Sequence, residues 1–430
     1  MKTKSAQSGI GSITSDWELK QIEALIEDGS ILGHLDGNHG ELYPRSHEFK
    51  GYGIPYIGAT DFLNGFVDFA ECKHLAAARA NQFRKGIAKN GDILFAHNAT
   101  VGPVALLVTP LEFVILSTTA TYFRCNPIKL DNIFLKYALQ AQQFVRQYRA
   151  VMAQSTRFQV PITAQRKLFL TIPPLSEQRA IASALSDVDA LINSLDRLIA
   201  KKEDMKQAAM QQLLTGKTRL PGFQRKDGFK HSEIGVIPED WCISELREFA
   251  RYENGKSYED DIVKNGDYLL ITLDSIGIDG KLKSQHKQIK LALDTLSKND
   301  LVMILSDVAH GYFLGLTDVI PESGKYVLNQ RVGALRSLRG TDPRYLSEFI
   351  NSRQSYFKTC GQGSSQQNLA KKDILDFLVL VPSLPEQRAI AIVISDMDAE
   401  IAALEQRRDK TLQLKQGMMQ ELLTGRIRLI

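Results

Sequence analysis

Two stretches of the chain carry apolar residues at alternating steps of four and three, the spacing of a helix that packs along one seam. The first stretch follows Glu177 and the second follows Glu386. The seam residues are Ile181, Leu185, Val188, Ile192, Leu195 and Ile199 in the first stretch, and Ile390, Ile394, Met397, Ile401 and Leu404 in the second. The pattern predicts two long helices that pack together as a coiled coil.

The same signals bound both predicted helices. Prolines stand just before each helix, where a proline is tolerated, at positions 173, 174, 382 and 385. The motif "LLTG" places Gly216 and Gly425 where helices commonly end in a left-handed residue. A helix over residues 178–213 would be about 54 Å long at about 1.5 Å per residue.

Both seams shift phase, near Lys202 in one copy and Thr411 in the other. They are predicted to resume at Met205, Ala209 and Leu213, and at Leu414, Met418 and Leu422. The pattern fits a stabilising hairpin, a homodimerisation coil or a rigid spacer that holds two domains apart. The matching spacing of the two copies favours the spacer.

The segments before the two helices share a plan but differ in their residues. "NGDILFAHNATVGPVALLV" and "KNDLVMILSDVAHGYFLGL" each predict a strand, a polar turn and a second strand. A helix is predicted from about Asp131 in the first segment and from about Asp342 in the second. The matching positions are Asp92 with Asp300, Gly102 with Gly311, and Arg124 with Arg336. The sequence therefore predicts two α+β domains, each with short strands around a twisted sheet.

Composition limits the class of protein without identifying it. The chain is 43% hydrophobic and 24% charged, which is typical of a globular protein, and its net charge of +4 permits a polyanionic partner. There is no apolar leader and no long uncharged apolar run, so a cytoplasmic location is expected. Four scattered cysteines predict buried free thiols rather than a zinc site or disulfides: Cys72, Cys125, Cys242 and Cys360.

These duplicated motifs resemble those of the specificity subunits of type I restriction-modification systems. The similar features are the "P-x-x-EQR-A-I" helix starts, the "LLTG" helix ends, "SEIGVIPEDW" from Ser232, "GDIL" from Gly91 and "VLNQRVGALR" from Val327. They occur in duplicate and in order over essentially the whole chain. The resemblance implies two α+β target recognition domains, at residues 1–173 and 221–382, and two long antiparallel spacer helices, at 174–220 and 383–430.

The resemblance also implies a division of labour. Each recognition domain would read one half of a split double-stranded DNA target, and the helices would set the gap, with roughly 16 base pairs as an upper limit. The helices would dock two methyltransferase subunits, and restriction subunits with a motor would complete the complex. The chain itself would have no catalytic residue, metal or cofactor. S-adenosylmethionine would belong to the methyltransferase, and ATP and magnesium to the motor.

Loop residues with polar side chains are the candidate DNA contacts, because base edges are read by such groups. In the second domain the tract "GQGSSQQNLAKKD" supplies the larger set, and "AQSTRFQ" stands at the equivalent place in the first. The turns "AHNATVG" and "SDVAHG" are further candidates. The predicted contacts are Gln154, Ser155, Thr156, Arg157, Gln159, Asn98 and Thr100 in the first domain, and Gln362, Ser364, Ser365, Gln366, Gln367, Asn368, Lys371 and Lys372 in the second.

Several patterns were weighed against these interpretations. "TGKTR" at 215–219 lacks the first glycine and the preceding strand of a phosphate-binding loop. "DPRY" from Asp342 is better explained as a helix cap than as a methyltransferase loop. The turn-rich residues 36–58 fit either a surface loop or a DNA-facing loop. Two alternative functions stay open: a specificity subunit of a related bifunctional restriction system, and a two-domain protein-interaction scaffold without DNA.

Overall fold

The computed structural model describes residues 16–37, 43–154, 158–223, 228–308, 311–363 and 366–429. The chain folds into two compact units. Unit 1 comprises residues 1–196 with 406–430, and unit 2 comprises residues 197–405. Each unit contains one α+β domain, the first half of one long helix and the second half of the other. The predicted domain limits at residues 173, 220 and 382 treat each helix as a separate segment and stay a prediction.

Unit 1 is built on two sheets and a short closing pair of strands. Its strands are β1 Glu18–Gln21, β2 Ile31–Asp36, β3 Phe49–Lys50, β4 Ile54–Ile57, β5 Phe62–Leu63, β6 Phe66–Val67, β7 Lys73–Leu75, β8 Ile87–Ala88, β9 Ile93–Asn98, β10 Thr100–Leu106, β11 Val114–Leu116, β12 Ala120–Cys125 and β13 Phe169–Ile172. One sheet has the order β2-β12-β9-β10-β6-β5 and the other β3-β7-β4-β11-β8, while β1 pairs with β13.

Five helices of unit 1 are shorter than its long helix. They are α1 Ile22–Glu27, α2 Ala77–Ala80, α3 Asn132–Gln140, α4 Gln142–Ala153 and α5 Ile162–Gln165. The long helix α6 is Leu175–Leu213 and runs on into unit 2. Helix α3 begins where the sequence predicted, because the Asp131 carboxylate accepts the backbone N–H of Phe134.

Unit 2 repeats this plan with smaller main sheets, of four strands each. Its strands are β14 Phe229–Ser232, β15 Gly235–Pro238, β16 Cys242–Glu245, β17 Arg251–Asn254, β18 Ile262–Val263, β19 Tyr268–Ile271, β20 Lys287–Ile289, β21 Leu301–Ile304, β22 Ser306–Val308, β23 Thr317–Val319, β24 Tyr326–Leu328, β25 Val332–Arg336, β26 Gln366–Asn368 and β27 Leu378–Val381. Its helices are α7 Pro343–Ser352, α8 Gln354–Cys360, α9 Lys371–Leu375 and the long α10 Leu384–Leu422, which runs on into unit 1.

The two domains share a sheet topology. The antiparallel order β2-β12-β9-β10 of unit 1 corresponds to β17-β25-β21-β23 of unit 2. A parallel pair stands in the second sheet of each domain, β4 with β11 and β19 with β24. The strand that enters each domain pairs with the strand that leaves it, β1 with β13 and β16 with β27. The predicted α+β class and the internal repeat are confirmed.

Within each unit the two long helices run antiparallel. In unit 1, Lys415 lies 2.6 Å from Asp189 and Arg408 lies 3.8 Å from Asp196. In unit 2, Lys202 lies 2.7 Å from Glu400, and Lys206 pairs with Asp398. Residue numbers fall on one helix as they rise on the other. Gly216 and Gly425 follow the helix ends with φ of 69° and 72°, as the sequence predicted.

The predicted seam residues are buried at the starts of both long helices and become more exposed along α10. Ile181, Leu185, Ile192, Leu195 and Ile199 are buried in α6, as are Ile390 and Ile394 in α10. Val188, Met397, Ile401 and Leu404 are half-buried. The start of each seam belongs to the main core of one unit, since Ile181 and Leu185 join that of unit 1, and Ile390 and Ile394 join that of unit 2.

Three details of the sequence interpretation are wrong. Met205 and Leu414 are 47% and 59% exposed, so the seams do not resume there. Residues 43–58 form strands as well as turns, because β3 and β4 belong to a sheet in which Tyr56 is buried. Cys242 is exposed, although all four thiols are free. No helix among the described residues has the length and apolarity needed to cross a bilayer.

Candidate nucleic-acid interface

In unit 1 the structure brings the end of a hairpin against the polar tract that follows helix α4. Asn98 ends β9, and Ala99 makes the turn into β10 with a positive φ of 64°. Asn98 forms an isolated bridge with Gln159. The backbone N–H of Ala99 donates to the carbonyl of Phe158 at 3.2 Å, and Val160 N–H donates to the His97 carbonyl at 2.8 Å. We call this arrangement the unit 1 junction.

Unit 2 contains the same arrangement with different residues. Strand β22 pairs antiparallel with β26, so that Ser306 lies opposite Asn368 and Asp307 opposite Gln367. Asn368 and Gln362 exchange two backbone hydrogen bonds at 2.9 and 3.0 Å, which close the tract into a small loop. We call this arrangement the unit 2 junction. In each unit, therefore, the polar tract and the turn that were predicted separately from the sequence lie against each other.

The remaining predicted contact residues take different positions. Gln154 is exposed at the end of helix α4, and Thr100 is exposed at the start of β10. Lys371 and Lys372 are exposed on α9, where the Lys371 ammonium lies 5.8 Å from the centre of the Tyr252 ring. Gln366 donates to the Ser306 hydroxyl at 2.6 Å. Five predicted residues lie outside the described residues: Ser155, Thr156, Arg157, Ser364 and Ser365.

A buried ion pair supports the hairpin in each domain. In unit 1 the Arg124 guanidinium lies 2.7 Å from the Asp92 carboxylate, and in unit 2 Arg336 lies 3.2 Å from Asp300. Burial raises the pKa of both aspartates above their usual value, against the effect of the facing arginine. The aspartate and arginine that were matched between the two halves of the sequence therefore form the same ion pair in both domains.

The start of helix α6 carries a second buried polar site, which sequence reasoning missed. The Trp17 indole N–H donates to the Glu177 carboxylate at 2.9 Å. Arg428, beyond the end of α10, donates to the same carboxylate at 2.7 Å and to Asp16 at 2.7 Å. Glu177 is fully buried. We call these four residues the unit 1 node. It joins the residues just before β1 to the start of α6 and to the segment after α10.

The unit 2 node is its counterpart. Trp241 donates to the Glu386 carboxylate at 3.3 Å, and Arg219 binds both Glu386 and Asp240, the latter at 2.9 Å. The "DW" pair, the "EQR" glutamate and the arginine after "LLTG" therefore meet in each unit. The sequence feature that could have revealed the nodes is that these three motifs each occur twice, once in each half of the chain.

The glutamine beside each glutamate holds the adjacent domain helix. Gln178 accepts the backbone N–H of Asp131 at 2.9 Å and donates to the Pro173 carbonyl at 2.9 Å. Gln387 makes the equivalent bonds to Asp342 and Pro382, at 2.8 and 2.9 Å. Asp131 and Asp342 are the caps of α3 and α7, so the repeated "EQ" pair fixes a domain helix to a spacer helix. This explains why the segment occurs twice.

Both junctions present polar side chains. Within the described ranges, no group of three or more His, Cys, Asp or Glu side chains is placed to hold a metal ion. The polar side chains of the junctions are mainly amides and hydroxyls, together with the Asp307 carboxylate in unit 2, and such groups form hydrogen bonds. Such groups can read the edges of bases.

Sequence comparison places the chain in a known family. Residues 15–202 and again residues 238–414 match the family described as the type I restriction modification DNA specificity domain. The chain belongs to this family. It is a DNA-recognition and scaffold subunit with two recognition domains, and a specificity subunit is a non-catalytic component of a type I restriction enzyme. These matches do not favour a protein-interaction scaffold without DNA.

Known members of the family resemble the chain over nearly its full length. The MjaVIII type I restriction enzyme specificity subunit of Methanocaldococcus jannaschii is 26% identical over 442 residues, which cover 97% of this chain and 94% of the relative. A solved chain described for the complex assembly and conformational transition of the type I R-M system is 16% identical, with a TM-score of 0.60 and coverage of 97% and 100%. The S subunit of M. genitalium is 16% identical, with a TM-score of 0.57 and 96% coverage of both chains. These two structures share the fold.

Proposed function

We propose that each recognition domain reads one half of a bipartite double-stranded DNA target through its junction. The observation that carries this proposal is the recurrence of the junction at the same place in both domains with different side chains. Asn98 and Gln159 stand where unit 2 has Ser306 and Asn368. A retained scaffold with altered polar groups is the arrangement expected for two readers of different sequences.

The junction side chains suit direct contact with bases. Asn and Gln amides pair with the donor and acceptor of adenine, and Ser and Thr hydroxyls bind several base edges. Gln362 and Asn368 in unit 2, and Thr100 in unit 1, are exposed enough to reach a groove. Lys371 and Lys372 would contact phosphates, which position a protein on DNA without specifying sequence.

The long helices would set the gap between the two half-sites. Each is 39 residues long, which is about 58 Å at 1.5 Å per residue and roughly 17 base pairs as an upper limit. The predicted seam residues would then serve to keep this length constant. The continuity of each helix supports this role.

The same helices would dock two methyltransferase subunits in the cytoplasm, and restriction subunits with a motor would join them. A groove in unit 1 supports a docking role, since it exposes apolar side chains that an isolated chain would normally bury. It is lined by Ala184, Leu414, Met418, Ile427 and Leu429 among others. S-adenosylmethionine would be bound by the methyltransferase, and ATP with magnesium by the motor subunit.

Methylation mapping tests this function. Genomic DNA from a host that expresses the chain with its methyltransferase is compared with DNA from a host that lacks only the chain. We expect a new split methylation motif that depends on the chain. Exchanging residues 18–172 for those of a relative should then change one half of the motif and leave the other half intact. A soluble complex that methylates no new motif contradicts the proposal.

A further inference from the structure

A network of buried polar side chains lies directly beneath the unit 1 junction. It consists of His34 in β2, His97 in β9, Thr121 in β12 and Gln165 at the end of α5. Their exposed fractions are 4%, 5%, 0% and 0%, so all four are withdrawn from solvent. Buried polar groups of this kind have to satisfy one another.

Hydrogen bonds link the four side chains into one network. The Gln165 amide nitrogen donates to the Val160 carbonyl at 2.9 Å and to the Thr121 hydroxyl at 3.1 Å. Its amide oxygen therefore accepts from His34 Nε2 at 3.1 Å. The Thr121 hydroxyl also shares a hydrogen bond with His97 Nδ1 at 2.8 Å, and the His97 tautomer determines which of the two donates. Burial lowers the pKa of His34 to about 4, so its imidazole is neutral at neutral pH.

This network of side chains contacts both segments of the unit 1 junction. His97 immediately precedes Asn98, and Val160 immediately follows Gln159. The His97 side chain is bound by Thr121, and the Val160 carbonyl is bound by Gln165. The backbones of His97 and Val160 are also joined directly at 2.8 Å. The relative position of Asn98 and Gln159 therefore depends on this chain of bonds.

Unit 2 supports its junction without such a chain. Tyr252 stands opposite Leu335 as His34 stands opposite Phe123, and Leu305 precedes β22 as His97 precedes Asn98. Gly333 occupies the place of Thr121, where a Cβ would lie 3.0 Å from the Tyr252 ring and 3.2 Å from Leu305. Ile374 is buried in α9, the short helix that corresponds to α5. The four residues of unit 2 that correspond to the network of unit 1 are therefore largely apolar.

We propose that Thr121 and Gln165 are positioning residues for DNA reading by the unit 1 domain, acting through the backbone of the unit 1 junction. The inference rests on the proposed function. His34 Nδ1 has no partner among the described residues, but Gln165 is linked both to Val160 and, through Thr121, to His97. Buried links of this kind favour one arrangement of the groups they join. Removing a link lets Asn98 and Gln159 shift relative to each other while the outer surface of the domain keeps its charge.

Thr121→Val tests the inference, because valine keeps the branched shape and removes the hydroxyl. Thr121→Ser is the matched control, since serine keeps the hydroxyl. Each variant is purified in complex with the methyltransferase, and methylation rates are measured on duplexes with single-base changes in one half-site. The half-site of unit 1 is assigned by the exchange of residues 18–172. We expect Thr121→Val to lower discrimination in that half by roughly tenfold.

Three readouts distinguish positioning from simple destabilisation. Discrimination in the half-site of unit 2 and affinity for non-specific DNA should be unchanged by Thr121→Val. Thr121→Ser should restore discrimination in the half-site of unit 1 to within about threefold of the original chain. An assembled Thr121→Val complex that keeps full discrimination overturns the inference, and so does an equal loss in both half-sites.

A second variant guards against a folding failure. Combining His34→Tyr, His97→Leu, Thr121→Gly and Gln165→Ile transfers the unit 2 set and removes the four polar side chains together, so that none of them loses its partner while it stays buried. Only the Val160 carbonyl gives up a bond, the one it accepts from Gln165. We expect the same loss confined to the half-site of unit 1, and unchanged discrimination would contradict the inference. If the original chain produces no split motif, the proposed function fails instead.

Discussion

At the scale of single residues, the two nodes show how a short repeated motif can fix a domain to a helix. Glu386 is 1% exposed and accepts from both Trp241 and Arg219. Removing such an acceptor leaves a buried guanidinium with less of its compensating charge. The unit 1 node repeats this arrangement through Glu177.

Glu386→Ala should lower the free energy of unfolding of unit 2 by roughly 3 kcal/mol or more, because Arg219 and Trp241 lose their shared acceptor. Hydrogen exchange of unit 2 amides, read by mass spectrometry, measures the change. Asp396→Ala is the control, since Asp396 is an exposed carboxylate on the same helix. Equal protection in the two variants would show that the node contributes little.

At the scale of elements, the apolar pattern predicted the long helices well but not the whole course of the seam. Ile181, Leu185 and Ile394 are fully buried as the pattern requires. Beyond the phase shift the pattern failed, because Thr411 is buried where Leu414 was expected. The Thr411 hydroxyl donates a hydrogen bond to the Arg407 carbonyl at 2.8 Å. This bond allows a polar residue to be buried between the two helices.

Leu185→Ala should destabilise unit 1 by about 2–5 kcal/mol, because it leaves a cavity in a core that includes the start of α6. Leu191→Ala on the same helix, also in unit 1, is the control. Leu191 is 40% exposed, so we expect a loss below about 1 kcal/mol. Thermal unfolding followed by circular dichroism compares the two. Similar losses would mean that the seam does not stabilise the unit.

The junctions show where sequence reasoning stops. Polar composition selected both the tracts and the turns, but the pairing of Asn98 with Gln159 joins residues far apart in the chain. No local pattern encodes a contact of that kind. His34 and Gln165 were missed for a related reason, since an isolated histidine or glutamine gives no sign of burial until the strands around it are assembled.

At the scale of the whole molecule, the chain has a small positive charge for a DNA-binding subunit. Its net charge of +4 over 430 residues means that phosphate contacts have to be local rather than spread over the surface. Lys371 and Lys372, beside the unit 2 junction, are the described candidates for such contacts.

Replacing Lys371 and Lys372 together by alanine should weaken binding of the methyltransferase complex to all duplexes about equally. The dependence of binding on salt should fall by roughly 1.8 in logarithmic slope, if each lysine contacts one phosphate. Fluorescence anisotropy at several salt concentrations measures both. Lys290 and Lys298 are exposed lysines elsewhere in unit 2 and provide the matched double variant. An equal change in the control variant would argue against specific phosphate contacts.

The unit 1 node joins Trp17 to Arg428, so this unit contains residues from both ends of the described chain. Unit 2 is continuous, whereas unit 1 also needs residues 406–430. A ribosome therefore releases every residue of unit 2 before unit 1 can be completed. Completion of the N-terminal unit therefore comes last, unlike the usual N-terminal-first order of co-translational folding. Trp17 and Glu177 can acquire their arginine partner only after the segment beyond the last helix has been synthesised.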